Sequence, residues 1–265
     1  MYAKKSLGQH FLKSEKALNT IIDAGEIIPG ETVLEIGPGT GALTEKLLAT
    51  SCQLLAVEKD DGLHEVLKNK FEKEIASGKL TLIHDDILNF DESKLKAKSY
   101  KLVANIPYNI TGAILEKFLS AEHQPERVVL LVQKEVAERI VGNRGSKAST
   151  KESILSISVK AYGTPKYVET VKAGSFAPAP NVDSAILAID NISKNFFSSF
   201  SEIDFFKLVK SGFQSKRKKL SSNLSNIMKK EKVLNVFKKL ELSENIRAEN
   251  VSISLWKELT EHLLS

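Results

Sequence analysis

Five short apolar runs punctuate the first half of the chain, at residues 32–36, 53–57, 80–83, 101–104 and 128–132. Each is too short for a helix and rich in Val, Ile and Leu, the pattern of strands buried on both faces of a parallel sheet. Between them, residues 42–48, 61–73 and 110–119 place apolar side chains at helical spacing, as does 135–141 after the fifth run. Ser14 is suited to cap a helix ahead of the first strand, with Ala17, Leu18, Ile21 and Ile22 as its buried stripe. A further helix at 153–161 and strands near 167–171 and 184–189 complete this part. Strands alternating with helices predict an α/β, Rossmann-like, doubly wound and mainly parallel sheet with antiparallel strands at its end.

The period then changes. Residues 193–201, rich in Ser and Phe, read as a linker, and 203–213, 220–228, 233–240 and 251–264 all carry helical spacing. The expected organisation is therefore a sheet domain over residues 1–192 and a small all-helical domain over 202–265.

Charge follows this division. Residues 191–265 hold 14 Lys and Arg against 8 Asp and Glu, a balance of +6, whereas residues 1–190 hold 24 against 25. A basic appendage on a near-neutral domain suits a polyanion-binding enzyme. A solvated lysine-rich surface accounts for part of the same excess. The single cysteine, Cys52, rules out an internal disulfide and a cysteine-built zinc cluster. No metal site is expected. The longest purely apolar run is far short of a membrane span. The basic start, Met1-Tyr2-Ala3-Lys4-Lys5, leads into no apolar signal core, so a cytoplasmic location is expected.

The candidate chemistry lies at the carboxyl ends of the strands. Gly37-Pro38-Gly39-Thr40-Gly41 joins the first strand to its helix, and its glycines leave room for a ligand against the backbone. Such a turn also serves as a plain connector. Glu58 ends the second strand 21 positions after Gly37, the distance at which an acid reaches ribose hydroxyls. Asp85 and Asp86 end the third strand, and either is placed to accept from an adenine amino group.

Asn105-Ile106-Pro107-Tyr108 follows the fourth strand, and its residue types fit methylation of an exocyclic amine. The lone pair of that amine is delocalised into the ring. Accepting its hydrogens at the Asn105 oxygen and the Ile106 carbonyl localises the pair, while Tyr108 offers a stacking face. Gly8-Gln9-His10-Phe11-Leu12 is placed to fold over a cofactor, with His10 a polar contact. In the proline segment 176–184, Phe176 is a candidate second wall for a flipped-out base; the alternative is a core phenylalanine.

In combination these motifs resemble the ribosomal RNA adenine dimethyltransferases over nearly the whole chain. The resemblance rests on Gly-Gln-His-Phe-Leu at 8–12, Glu-Ile-Gly-Pro-Gly-Thr-Gly at 35–41, Asn-Ile-Pro-Tyr at 105–108 and Phe-x-Pro-x-Pro-x-Val-Asp-Ser at 176–184. It extends to Phe213-Gln214-Ser215-Lys216-Arg217-Lys218 and Arg247-Ala248-Glu249-Asn250-Val251-Ser252 in the tail. It implies a class I methyltransferase fold and S-adenosylmethionine as methyl donor. It further implies cofactor contacts at His10, Leu12, Gly37, Glu58, Asp86 and Asn105, a catalytic group of Asn105, Tyr108 and Phe176, and RNA contacts at Lys216, Arg217 and Lys218. The implied reaction is dimethylation of two adjacent adenosines in the 3′-terminal hairpin of 16S ribosomal RNA, within small-subunit assembly intermediates. A monomer is expected.

Three departures stand out. His10 replaces a common asparagine, Lys216 a more usual arginine, and Ser149-Thr150-Lys151-Glu152-Ser153 continues where a tyrosine-glycine-arginine turn is usual. Competing readings are a large-subunit RNA methyltransferase of the macrolide-resistance type, a nicotinamide-dependent oxidoreductase, and a non-enzymatic RNA-binding assembly factor.

Overall fold

The computed structural model describes residues 9–95, 97–142 and 151–264. Gly8, and Ser149 and Thr150 of the atypical stretch, fall outside these. The chain forms two compact units. One comprises residues up to 137 together with 164–192, and the other 138–163 together with 193–265.

The first unit is built on a seven-stranded sheet. Its strands are β2 (Thr32–Ile36), β3 (Gln53–Glu58), β4 (Leu80–His84), β5 (Lys101–Asn105), β6 (Arg127–Gln133), β7 (Thr164–Val171) and β9 (Ser184–Asp190). The order is β4-β3-β2-β5-β6-β9-β7. The first five are parallel, and β9 runs antiparallel to both β6 and β7. The apolar runs are buried as their composition demands: every residue of β9, and all of β6 except its ends, is shielded from solvent.

Helices α1 (Glu15–Gly25), α2 (Ala42–Ala49), α3 (Asp61–Lys70), α4 (Glu72–Ala76) and α5 (Thr111–Ser120) connect these strands, and α6 (Lys134–Val141) follows β6. Ser14 caps α1 by accepting from the Ala17 amide at 3.3 Å. The single helix expected over 61–73 is broken at Phe71. That residue leaves helical geometry at φ −112° and ψ 29°, and its ring is buried in the core beside Leu67 and Leu43. A two-residue ladder that the sequence pattern does not predict joins β1 (Phe11–Leu12) to β8 (Phe176–Ala177), with Leu12 opposite Phe176.

The second unit is helical. It contains α7 (Ile154–Tyr162), α8 (Glu202–Gly212), α9 (Leu220–Leu224), α10 (Lys230–Lys239) and α11 (Ile253–Leu264). Its core gathers Phe205, Leu208, Val209, Leu220, Phe237 and Trp256, all at most 1% exposed. Two expectations from the sequence change here. Chain order assigns α7 to the sheet domain, yet Ile157 and Ala161 on its buried face join the core of the C-terminal helices. Residues 193–201 are packed rather than an extended linker: Phe196 meets Phe197, Phe200 and Phe205 edge-on, and Phe197 meets Phe205 in the same way. Aromatic rings spaced for mutual contact bury too much surface to stay extended. Among the described residues no helix is long and apolar enough to cross a membrane.

Candidate active site

The order of strands reverses between β2 and β5, and a cleft of about 310 Å³ opens at their carboxyl ends. Open α/β sheets bind ligands at this position, because neighbouring loops there diverge to opposite faces. The cleft is lined from every expected quarter. It includes His10 and Leu12 from the N-terminal segment, Gly37 after β2, Glu58 at the end of β3, Asp85 and Asp86 after β4, and Asn105 and Tyr108 after β5.

The glycine turn gives the cleft its floor. Gly37, Gly39 and Gly41 all have positive φ, at 64°, 62° and 82°. A methyl group on Gly37 would meet nothing within 4 Å, so the backbone there borders open space. A methyl on Gly39 would sit 3.2 Å from the Phe11 ring, and one on Gly41 only 2.6 Å from Phe71. The three glycines therefore serve different ends: one faces the cleft, and the other two admit an aromatic ring.

Glu58 is 5% exposed and bound at both oxygens. Oε2 accepts from the Gly39 amide at 3.1 Å, and Oε1 from the Asp60 amide at 2.8 Å. Burial pushes its carboxyl above the usual range, opposed by these amides. A carboxylate oxygen accepts more than one hydrogen, so the anchored acid keeps capacity for two ribose hydroxyls. Asp86 is held by Lys59 Nζ at 2.8 Å and the Leu88 amide at 3.0 Å, and these bonds keep its carboxyl low. Asp85 accepts from the Asp86 amide at 2.8 Å. The geometry brings both acids to the cleft.

The tetrapeptide Asn105-Ile106-Pro107-Tyr108 is fixed from two sides. Asn105 Nδ2 donates to the His10 carbonyl at 3.2 Å. The Tyr108 hydroxyl lies 2.6 Å from the hydroxyl of Ser184 on β9. The Tyr108 ring runs nearly parallel to the His10 imidazole, at 19° and 6.0 Å between centroids. His10 is itself tied down, since Nδ1 donates to the Pro178 carbonyl at 2.8 Å.

Phe176 is not among the residues lining the cleft. Its side chain is 5% exposed and belongs to the same core cluster as Leu12 and Val171, which favours the core alternative. Lys216, Arg217 and Lys218 lie exposed in the turn between α8 and α9. A residue that sequence reasoning passes over also belongs to the site. Glu35, 1% exposed in β2, borders the cleft, accepts from Thr44 Oγ1 at 2.8 Å, and leaves Oε1 without a partner. Burial raises its carboxyl to about 8. The available signal is an acid inside an otherwise apolar strand.

A cleft at the switch point, floored by a glycine turn and flanked by an acid on the next strand, fits an adenosine-bearing cofactor, and the relatives place the chain among the class I methyltransferases, which use S-adenosylmethionine. The open backbone at Gly37 and the anchored Glu58 fit an adenosine-bearing donor. The solved structures agree. The chain is similar to a dimethyladenosine transferase from Plasmodium falciparum (28% identity, 94% of this chain and 96% of that one, TM-score 0.77). It shares the fold of the 23S rRNA methyltransferase ErmE (24%, 96% and 100%, TM-score 0.76).

The sequence matches the family of ribosomal RNA adenine dimethylases over residues 1–264, and the chain belongs to that family. Curated relatives include proteins named ribosomal RNA small subunit methyltransferase A. That of Dehalococcoides mccartyi strain CBDB1 is 42% identical, over 97% of this chain and 87% of the relative. That of Fusobacterium nucleatum is 38% identical, over 97% and 96%.

Proposed function

We propose that this protein dimethylates two adjacent adenosines in the 3′-terminal hairpin of 16S ribosomal RNA at their exocyclic amines. It acts on small-subunit assembly intermediates, as a monomer in the cytoplasm. The observation that carries the reading is the bond from Asn105 Nδ2 to the His10 carbonyl. A carbonyl only accepts, so the amide nitrogen is committed to it and Oδ1 remains to receive a substrate N–H.

In this reading Asn105 Oδ1 and the Ile106 carbonyl accept hydrogen bonds from the amine and turn its lone pair toward the donor. Each transfer forms an N–C bond as the S–C bond breaks, and the amine proton is released to solvent. Bound S-adenosylmethionine supplies a methyl group already activated by its sulfonium. Positioning and electrostatics then provide most of the acceleration, and no strong general base is needed. Tyr108, its hydroxyl tethered by Ser184, presents a ring fixed in orientation for the base to stack on. His10, Leu12, Gly37, Glu58 and Asp86 hold the cofactor, and Lys216, Arg217 and Lys218 bind RNA phosphates.

Nucleoside mass spectrometry on small subunits from a methylation-deficient strain, incubated with the protein and S-adenosylmethionine, tests this. Dimethyladenosine in the 3′-terminal fragment is expected. No product there, with product in large-subunit RNA incubated in parallel, would move the protein to the macrolide-resistance type.

A further inference from the structure

A second concave surface lies in the helical unit, away from any residue given a role above. It has a volume of about 420 Å³, and is lined by Lys229, Lys232, Asn235 and Lys239 along α10 and by His262 of α11, with Glu231 as its acid. The intervals from 229 to 232, 236 and 239 are three, four and three, which set these residues on one face of a helix. Val236, 8% exposed, forms the floor between them. The three lysines are exposed, and among the described residues none has a carboxylate partner within ion-pair distance. Lys239 Nζ approaches His262 Nδ1 at 3.5 Å.

The amino end of α10 carries three lysines against one acid, Glu231. Lys229 is the N-cap of α10 and provides no side-chain cap, and Lys230 and Lys232 follow in the first turn. The amino end of a helix favours anions, so the positive excess left after Glu231 is unfavourable there and a further negative group would relieve it. The stripe from Lys229 to Lys239 extends about 15 Å along the axis, at ~1.5 Å per residue. A single small anion would engage only part of that length, whereas a phosphodiester backbone engages all of it.

We propose that this α10–α11 groove is a second RNA-backbone site, which supplements the turn at 216–218. The inference rests on the rRNA-modifying reading above. The contact is electrostatic and independent of base sequence, with Asn235 able to bond a phosphate or ribose oxygen.

The test uses the full chain carrying Lys232→Glu and Lys239→Glu, with Lys232→Gln and Lys239→Gln as a milder pair. Binding of the labelled protein to small subunits from a methylation-deficient strain and to polyglutamate is followed by fluorescence anisotropy across a salt series. Thermal unfolding and S-adenosylhomocysteine binding monitor the fold. The expected result is a small-subunit affinity at least roughly tenfold weaker for the reversal pair. The slope of log K against log salt should become shallower by about 1.4–1.8, the value for two fewer neutralised phosphates. Unchanged affinity and slope in both variants would overturn the groove alone. Loss of polyglutamate binding with small-subunit binding intact would assign it to an acidic protein and overturn the RNA proposal. Failure of the wild type to bind these small subunits at all would overturn this inference together with the proposed function.

Discussion

The side chain of Asn105 and the backbone of His10 are coupled: Nδ2 donates to the His10 carbonyl at 3.2 Å across 95 positions of sequence. The N-terminal segment thereby sets the orientation of this amide at the edge of the cleft. His10 is held in turn by the Pro178 carbonyl, and Lys13 donates its amide to the Ser175 carbonyl at 2.8 Å. Three separate stretches of chain thus converge on one amide orientation.

Asn105→Ala removes the acceptor and the tether together while cutting only a small, partly buried side chain. We expect methylation to fall by about 10²–10³-fold, the usual cost of one preorganised polar group. The thermal midpoint should hardly move. Single-turnover rates with a radiolabelled methyl donor, read beside a melting curve, check both halves. Retained methylation would remove Asn105 from the mechanism.

The glycine turn separates stability from binding. Gly41→Ala forces a side chain into φ +82° and into the Phe71 ring at 2.6 Å. Left-handed strain and overpacking together should cost about 2–4 kcal/mol. Gly37→Ala meets no protein atom, so its cost is only the φ penalty of about 1 kcal/mol. It places a methyl where the cleft is open, and S-adenosylhomocysteine affinity should drop at least roughly tenfold. Calorimetric titration and thermal unfolding of the two variants should show opposite defects.

Much of this arrangement is legible from the sequence. The five parallel strands are, because residues buried on both faces leave unbroken apolar runs, and so is the switch-point cleft, because its motifs sit directly after those runs. The ladder of Phe11–Leu12 with Phe176–Ala177 is not, since two-residue strands have no period to detect. For the same reason Phe176 is open to either role in the sequence, and only tertiary packing puts it in the core. The grouping of α7 with the C-terminal helices depends on which partner its apolar stripe meets, which the stripe itself does not encode. Residues 220–228 also read as one helix, but α9 ends at Leu224. There Asn223 turns its amide inward to the Gly212 and Ser215 carbonyls.

Glu35 makes stability depend on pH in a definite direction. Its carboxyl is raised from 4.5 to about 8 by burial, so the folded chain holds a proton that the unfolded chain has released over that window. The contribution is complete below pH ~4.5 and is lost as pH rises toward 8, at up to about 1.4 kcal/mol per pH unit. Glu35→Gln mimics the protonated acid and still accepts from Thr44. We expect the variant to gain stability relative to the wild type as pH rises from 5 to 8, measured by urea unfolding. Parallel pH profiles for the two proteins would show that Glu35 is ionised in the fold.

The turn at Lys216, Arg217 and Lys218 should act on affinity without touching chemistry. All three are exposed, and none has an acidic partner among the described residues, so neutralising them removes no internal ion pair. Replacement by Gln should leave the melting temperature and S-adenosylhomocysteine binding unchanged. Each phosphate left without its cation lowers counterion release by about 0.7–0.9, so the salt slope of rRNA binding should fall by roughly 2–3 for the triple variant. Lys216 acts as a point charge where an arginine would bind a phosphate bidentately, so Lys216→Arg alone should tighten binding modestly. If the slope stays at its wild-type value, these residues are a solvated surface and the phosphate-binding groups lie elsewhere.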